Sequence, residues 1–116
     1  MDHLALAVSD CERSRRFYET YFGFVAEPER REDGVLMTHD EHGFALALGE
    51  TRDPIVVPAF LHFGRGLESA SAVRVFRDRL VADGVELVGF WDEPDYVSVK
   101  FRDPDGYVVE VSWEPE

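Results

Sequence analysis

The stretch Asp103-Pro104-Asp105-Gly106-Tyr107-Val108-Val109-Glu110-Val111 decides the fold, because it joins a tight turn to an alternating strand carrying one carboxylate on an otherwise apolar run. Pro fixes φ, Asp hydrogen-bonds its own backbone and Gly adopts positive φ without steric cost, so Asp-Pro-Asp-Gly predicts a hairpin turn with strands on both sides. Beyond the turn, alternation sets Tyr107, Val109, Val111 and Trp113 on one face and Val108, Glu110 and Ser112 on the other. The first face belongs to a core, which leaves Glu110 as the one charge on the second.

Working back from the turn, alternation predicts strands over 96–101 and 85–90, and a helix capped by Ser69 or Ser71. That helix carries Val73, Phe76, Leu80 and Val81 at helical spacing and stops at Asp83-Gly84. A strand over 59–64 precedes it, so residues 59–116 read β-α-β-β-β. Residues 51–58 hold Thr51, Arg52, Asp53, Pro54 and Pro58 and predict a linker. Residues 1–50 repeat the order. A strand over 3–8 comes first, then a helix of about a dozen residues capped by Ser9 or Asp10 and ended by Gly23, with Phe17, Tyr18, Tyr21 and Phe22 as its apolar stripe. Short strands follow over 24–27, 34–38 and 43–48. His62 follows His3 by 59 residues, Phe76 follows Phe17 by the same interval, and Gly106 follows Gly43 by 63. The drift falls in loops, where insertions are tolerated. Each half therefore opens with a histidine on its first strand. Only the second half carries a carboxylate on its last strand, since Glu110 maps back to Ala47.

Composition bounds the class. With 116 residues, 45% hydrophobic, the chain can build one modest domain core. Twelve basic against 24 acidic residues give a net charge of −12, which repels nucleic acid and anionic membranes and leaves a cationic ligand open. There is a single cysteine, Cys11, and no apolar run near the roughly 20 residues of a membrane helix, so the chain reads as cytoplasmic. Cys11 sits in a helix's first turn with no base placed beside it and reads as incidental. His39 and His42 read as the solvated tip of a hairpin.

Asp2-His3-Leu4-Ala5-Leu6-Ala7-Val8, Ser14-Arg15-Arg16-Phe17-Tyr18 running to Gly23-Phe24, and Phe101-Arg102-Asp103-Pro104-Asp105-Gly106 before Glu110 together resemble the vicinal oxygen chelate superfamily. That family includes glyoxalase I, extradiol dioxygenases, fosfomycin resistance enzymes and bleomycin-binding resistance proteins. The resemblance covers nearly the whole chain. It implies an α+β fold in which two βαβββ modules form a cup-shaped mixed sheet with helices outside it, and a divalent metal bound by first and last strands. The family's metal positions fall on His3, His62 and Glu110, with Glu110 also the candidate catalytic carboxylate. The fourth, a carboxylate in glyoxalase I, falls on Ala47. Two histidines and one carboxylate suit Fe(II), Mn(II), Zn(II) or Ni(II) and leave positions open for substrate or water.

Alternation turns Val97, Val99 and Phe101 toward the helix, so Tyr96, Ser98 and Lys100 line the implied cup, with Phe60 and Trp91 as further substrate-binding candidates. In fosfomycin resistance enzymes the positions matching Ser98 and Lys100 contact ligand, but the family's tyrosine is Lys100 here and its threonine is Ala5, which disfavours a phosphonate. Two classes of function are expected. One is a metal-dependent isomerase, lyase or dioxygenase chelating vicinal oxygens of a small substrate. The other is a metal-free, bleomycin-resistance-like protein that sequesters a cationic ligand. The resemblance also implies a homodimer, with each site built within one chain or shared.

Overall fold

In each half of the chain a helix starts where a small polar side chain can take over an orphan amide. The computed structural model describes all residues, Met1–Glu116, in two compact units, Met1–Val56 and Val57–Glu116. In the first unit β1 (His3–Val8) leads to α1 (Cys11–Phe22), and the Asp10 side chain accepts the Arg13 N–H at 3.1 Å. Gly23, at φ 71°, ends the helix by donating its N–H to the Glu19 carbonyl. β2 (Val25–Ala26), β3 (Leu36–His39) and β4 (Ala45–Glu50) complete a sheet of order β1-β4-β3-β2. In the second unit β5 (His62–Gly66) leads to α2 (Ala70–Ala82), where Ser69 accepts the Ala72 N–H at 3.0 Å. β6 (Leu87–Glu93), β7 (Tyr96–Arg102) and β8 (Val108–Trp113) give the sheet order β5-β8-β7-β6.

The fold is α+β: two βαβββ modules, each an open mixed sheet with one parallel pair, β1 with β4 and β5 with β8. One face of each sheet is buried with its helix. Leu6, Val8, Leu46 and Leu48 form that layer in the first unit, and Val97, Val99, Phe101, Val109 and Val111 in the second, where Val73 and Leu80 of α2 are also fully buried. The opposite face of the second sheet therefore takes the alternate residues, Glu110 among them.

The Asp103 turn forms through its own side chain. Asp103 Oδ1 accepts the N–H groups of Asp105 and Tyr107, both at 2.9 Å, while Gly106 closes the turn at φ 91°. Asp40 repeats this 63 residues earlier, accepting from His42 and Phe44. The histidine pair is thus the rim of an Asp-built turn, although His39 itself ends β3.

Three expectations need correction. β5 begins at His62 rather than residue 59, because Phe60 adopts φ 72° and breaks extension. The buried residues of α1 are Cys11, Ser14 and Tyr18, one face at i, i+3 and i+7, with Phe17, Tyr21 and Phe22 half-buried beside it. Val81 is 59% exposed and leaves the stripe of α2 to Val73, Phe76 and Leu80, with the Phe76 ring 5.7 Å from that of Phe101.

Candidate functional site

The β7–β8 register sets Lys100 against Glu110 and Ser98 against Ser112, and the β5–β8 register sets Gly64 against Glu110 and His62 against Val108. Period-two alternation therefore gathers His62, Tyr96, Ser98, Lys100 and Glu110 on the face away from α2. β6 adds Trp91, paired with Ser98. The Glu110 carboxylate is held at one oxygen: Tyr96 Oη–H donates to Oε2 at 2.6 Å and Ser98 Oγ–H donates to the same atom at 2.5 Å. Burial pushes the Glu110 carboxyl up, but the two hydroxyls, Lys100 and His62 outweigh it and hold its pKa below the ordinary value. The same bond raises the Tyr96 phenol, since losing that proton would set two anions together.

Oε1 of Glu110 faces His62 Nε2 at 3.6 Å. The other ring nitrogen, Nδ1, lies 2.8 Å from the Phe60 carbonyl oxygen. A carbonyl only accepts, so Nδ1 carries a proton, and Nε2 turns toward Oε1 its lone pair in the neutral ring or an N–H in the imidazolium. In the neutral ring two electron pairs converge, an arrangement that a bound cation can bridge. The gap is within what two metal bonds of about 2.0–2.2 Å each can bridge. Oε2 is tied by two hydroxyls and Nδ1 by a carbonyl, the outer-sphere bonds that orient metal ligands.

His3 belongs to the other unit. It is exposed on β1, with Nδ1 2.7 Å from Asp2 Oδ1, so Nδ1 again donates and Nε2 is the available atom. Hydrogen bonding to His3 lowers the Asp2 pKa. Neither unit alone gathers three His, Cys, Asp or Glu side chains into a metal-holding cluster. The second unit brings two of the expected ligands together, and Ala47, paired with Ala5 and Met37, adds no carboxylate to the first.

Among the residues expected to bind substrate, Ser98 is fully buried and its hydroxyl is committed to Glu110, as is that of Tyr96. Phe60 is 91% exposed, its ring edge-on to His62 at 5.4 Å between centroids. Trp91 and Lys100 lie together, with Nζ 5.3 Å from the indole centroid.

Sequence reading passed over two contributors. Gly64 packs β5 so close to β8 that a Cβ there would stand 2.3 Å from the Glu110 carbonyl oxygen. A glycine inside a strand two residues beyond a candidate ligand was the available signal. Asp2 orients His3, and its signal was a carboxylate adjoining a histidine.

Comparison with known proteins bears on what this arrangement serves. The family model described as Glyoxalase/Bleomycin resistance protein/Dioxygenase superfamily matches residues 1–111. A solved structure of a possible glyoxalase from Bacillus cereus is 29% identical, with 96% of each chain covered and a TM-score of 0.79. A lactoylglutathione lyase from Agrobacterium tumefaciens is 21% identical over 97% of this chain and 92% of its own, with a TM-score of 0.75. A mutant of the fosfomycin resistance protein FosX from Listeria monocytogenes, complexed with Mn(II) and a dihydroxypropylphosphonic acid, is 18% identical over 96% and 86%, with a TM-score of 0.79. The last two are alike in fold alone. No curated protein matches the chain. No helix is long and apolar enough to cross a membrane.

Proposed function

The chain belongs to the glyoxalase/bleomycin resistance protein/dioxygenase superfamily, and from that premise we propose that it is a divalent-metal-dependent enzyme acting on a small oxygenated substrate, of the isomerase, lyase or dioxygenase type. The observation that carries this reading is the convergence of His62 Nε2 and Glu110 Oε1 at 3.6 Å, with their outer atoms tied off by Phe60, Tyr96 and Ser98. His62 and Glu110 supply two ligands, and the third family position is His3, of this chain or of a partner copy. The set suits Fe(II), Mn(II), Zn(II) or Ni(II).

A metal bound there would polarise a substrate oxygen and lower the pKa of a bound water. The residues of the chain do the rest. Tyr96 and Ser98 hold the Glu110 carboxylate in one rotamer and in its ionised form, so it presents Oε1 as ligand and candidate base. Phe60 fixes the His62 tautomer. Lys100 supplies positive charge beside Glu110, and Trp91 an apolar surface.

Metal uptake tests the reading. Purified protein should take up about one equivalent of Mn(II) or Zn(II) per chain, and His62→Ala and Glu110→Gln should each weaken uptake by at least about tenfold while keeping a cooperative thermal transition. Wild-type protein that holds below about 0.1 equivalents after loading would refute it and favour a metal-free binding protein.

A further inference from the structure

The open face of the second sheet carries a flat aromatic surface beside a lysine without an ion pair. The cause is local. Gly89 and Trp91 lie on the same face of β6, and Gly89 is where the β6–β7 register shifts. A Cβ on Gly89 would stand 2.6 Å from Trp91 Cη2 and 3.0 Å from Cζ3, so the six-membered ring lies back across the glycine. Trp91 remains 42% exposed.

Lys100, paired with Gly89 across the strands, places Nζ 5.3 Å from the indole centroid. The other cation on this face of β7, Arg102, is occupied: it donates to Glu86 Oε2 and to the Gly106 carbonyl, each at 2.9 Å. Lys100 has no carboxylate within ion-pair distance, although its strand partner is Glu110. Lys100 is half-buried beside the indole, and its charge acts on Glu110 without a direct ion pair.

We propose that Trp91 and Lys100 form a recognition subsite for a small aromatic carboxylate, whose ring lies on the indole and whose carboxylate pairs with Lys100. The proposal rests on the reading of the Glu110–His62 face as the substrate site and adds the substrate's chemical class. Three observations select that class. The indole is flat and 42% exposed, which suits a planar ring over a bulky one. One ammonium, without a guanidinium fork or a row of amides, matches a single carboxylate rather than a phosphate. The adjoining Glu110 and a net charge of −12 further disfavour a dianion. Lys100 lies one strand from Glu110, so the carboxylate end of the ligand faces the Glu110–His62 pair and the ring extends away from it over β6.

Sodium benzoate is the probe, titrated calorimetrically into both metal-free and metal-loaded protein. Benzamide has the ring without the charge, and cyclohexanecarboxylate has the charge without the flat ring. Wild-type protein should bind benzoate saturably in the millimolar range in the absence of metal, and each analogue at least fivefold more weakly. Lys100→Met and Trp91→Leu should each weaken benzoate at least tenfold, while Lys100→Arg should restore most of the loss, which separates charge recognition from folding. Equal binding of benzamide, equal binding of cyclohexanecarboxylate, or benzoate affinity unchanged in Trp91→Leu would overturn the subsite. Protein that takes up metal but ignores benzoate overturns the subsite alone. Protein that binds benzoate but takes up no metal overturns the metal reading and leaves the subsite standing.

Discussion

Replacing Gly64 with alanine tests whether the approach of β5 to β8 builds the site. The added Cβ would stand 2.3 Å from the Glu110 carbonyl oxygen and 3.0 Å from the Glu110 Cβ, and it meets backbone, which cannot rotate away. Ordinary carbon contacts lie near 3.5–4.0 Å, so one strand must move by about 1 Å. Overpacking of this kind costs roughly 1–3 kcal/mol, and backbone as the obstacle puts Gly64→Ala near 3. At about 4–8 °C per kcal/mol for a small domain, the melting temperature should fall by roughly 12–24 °C. The same movement displaces Glu110 from a carboxylate–imidazole gap of only 3.6 Å, so affinity for Mn(II) should drop at least about tenfold. Gly66→Ala is the control, on the same strand and face, where the nearest atom to a new Cβ is the Ser112 carbonyl oxygen at 3.9 Å. It should be neutral or stabilising by about 0.4–1 kcal/mol through the unfolded chain. Thermal unfolding by circular dichroism, with calorimetric metal titration, measures both. If the two variants melt within about 2 °C of each other, the close approach is not there and the reasoning fails.

The left-handed conformation of Phe60 positions His62. Phe60→Gly should therefore keep the Nδ1–H tautomer, whereas Phe60→Val, β-branched and worse in that region by about 1–2 kcal/mol, should release it; ¹⁵N shifts of the His62 ring read the difference. Burial raises the Cys11 pKa, Arg30 opposing and Glu50 adding to the rise, and the thiol is fully buried with Sγ 3.4 Å from the Leu48 carbonyl. Below its raised pKa it remains a thiol, so an aromatic disulfide reagent at pH 8 should modify native protein no faster than it unfolds, and prompt labelling would contradict the burial. His3→Ala and Glu110→Ala should each abolish metal uptake while leaving the fold cooperative. If the protein is a homodimer with sites shared between chains, mixing the two variants should restore part of the uptake, and mixtures that stay inactive would place each site within one chain.

Much of this protein was legible without coordinates because its information is local and periodic. The Asp-Pro-Asp-Gly turn, the helix caps at Asp10 and Ser69 and the alternation along 96–101 and 107–113 depend on φ preferences, short hydrogen bonds and a period of two. These set Glu110, Ser98 and Lys100 on one face before any packing is known. The repeat of the β-α-β-β-β order, and the resemblance it supports, follow from the same regularities. What the sequence could not settle depends on atoms brought together from distant positions or on strain that no propensity records. By alternation Phe60 continues a strand, yet it turns left-handed and offers its carbonyl to His62. Tyr96 and Ser98 looked like groups open to a ligand, but both hydroxyls converge on one oxygen of Glu110, which only the strand register and the reach of a tyrosine could bring about. Gly64 and Gly89 matter for what presses against them, the Glu110 backbone and the Trp91 ring, and a contact of that kind exists only once the strands are side by side.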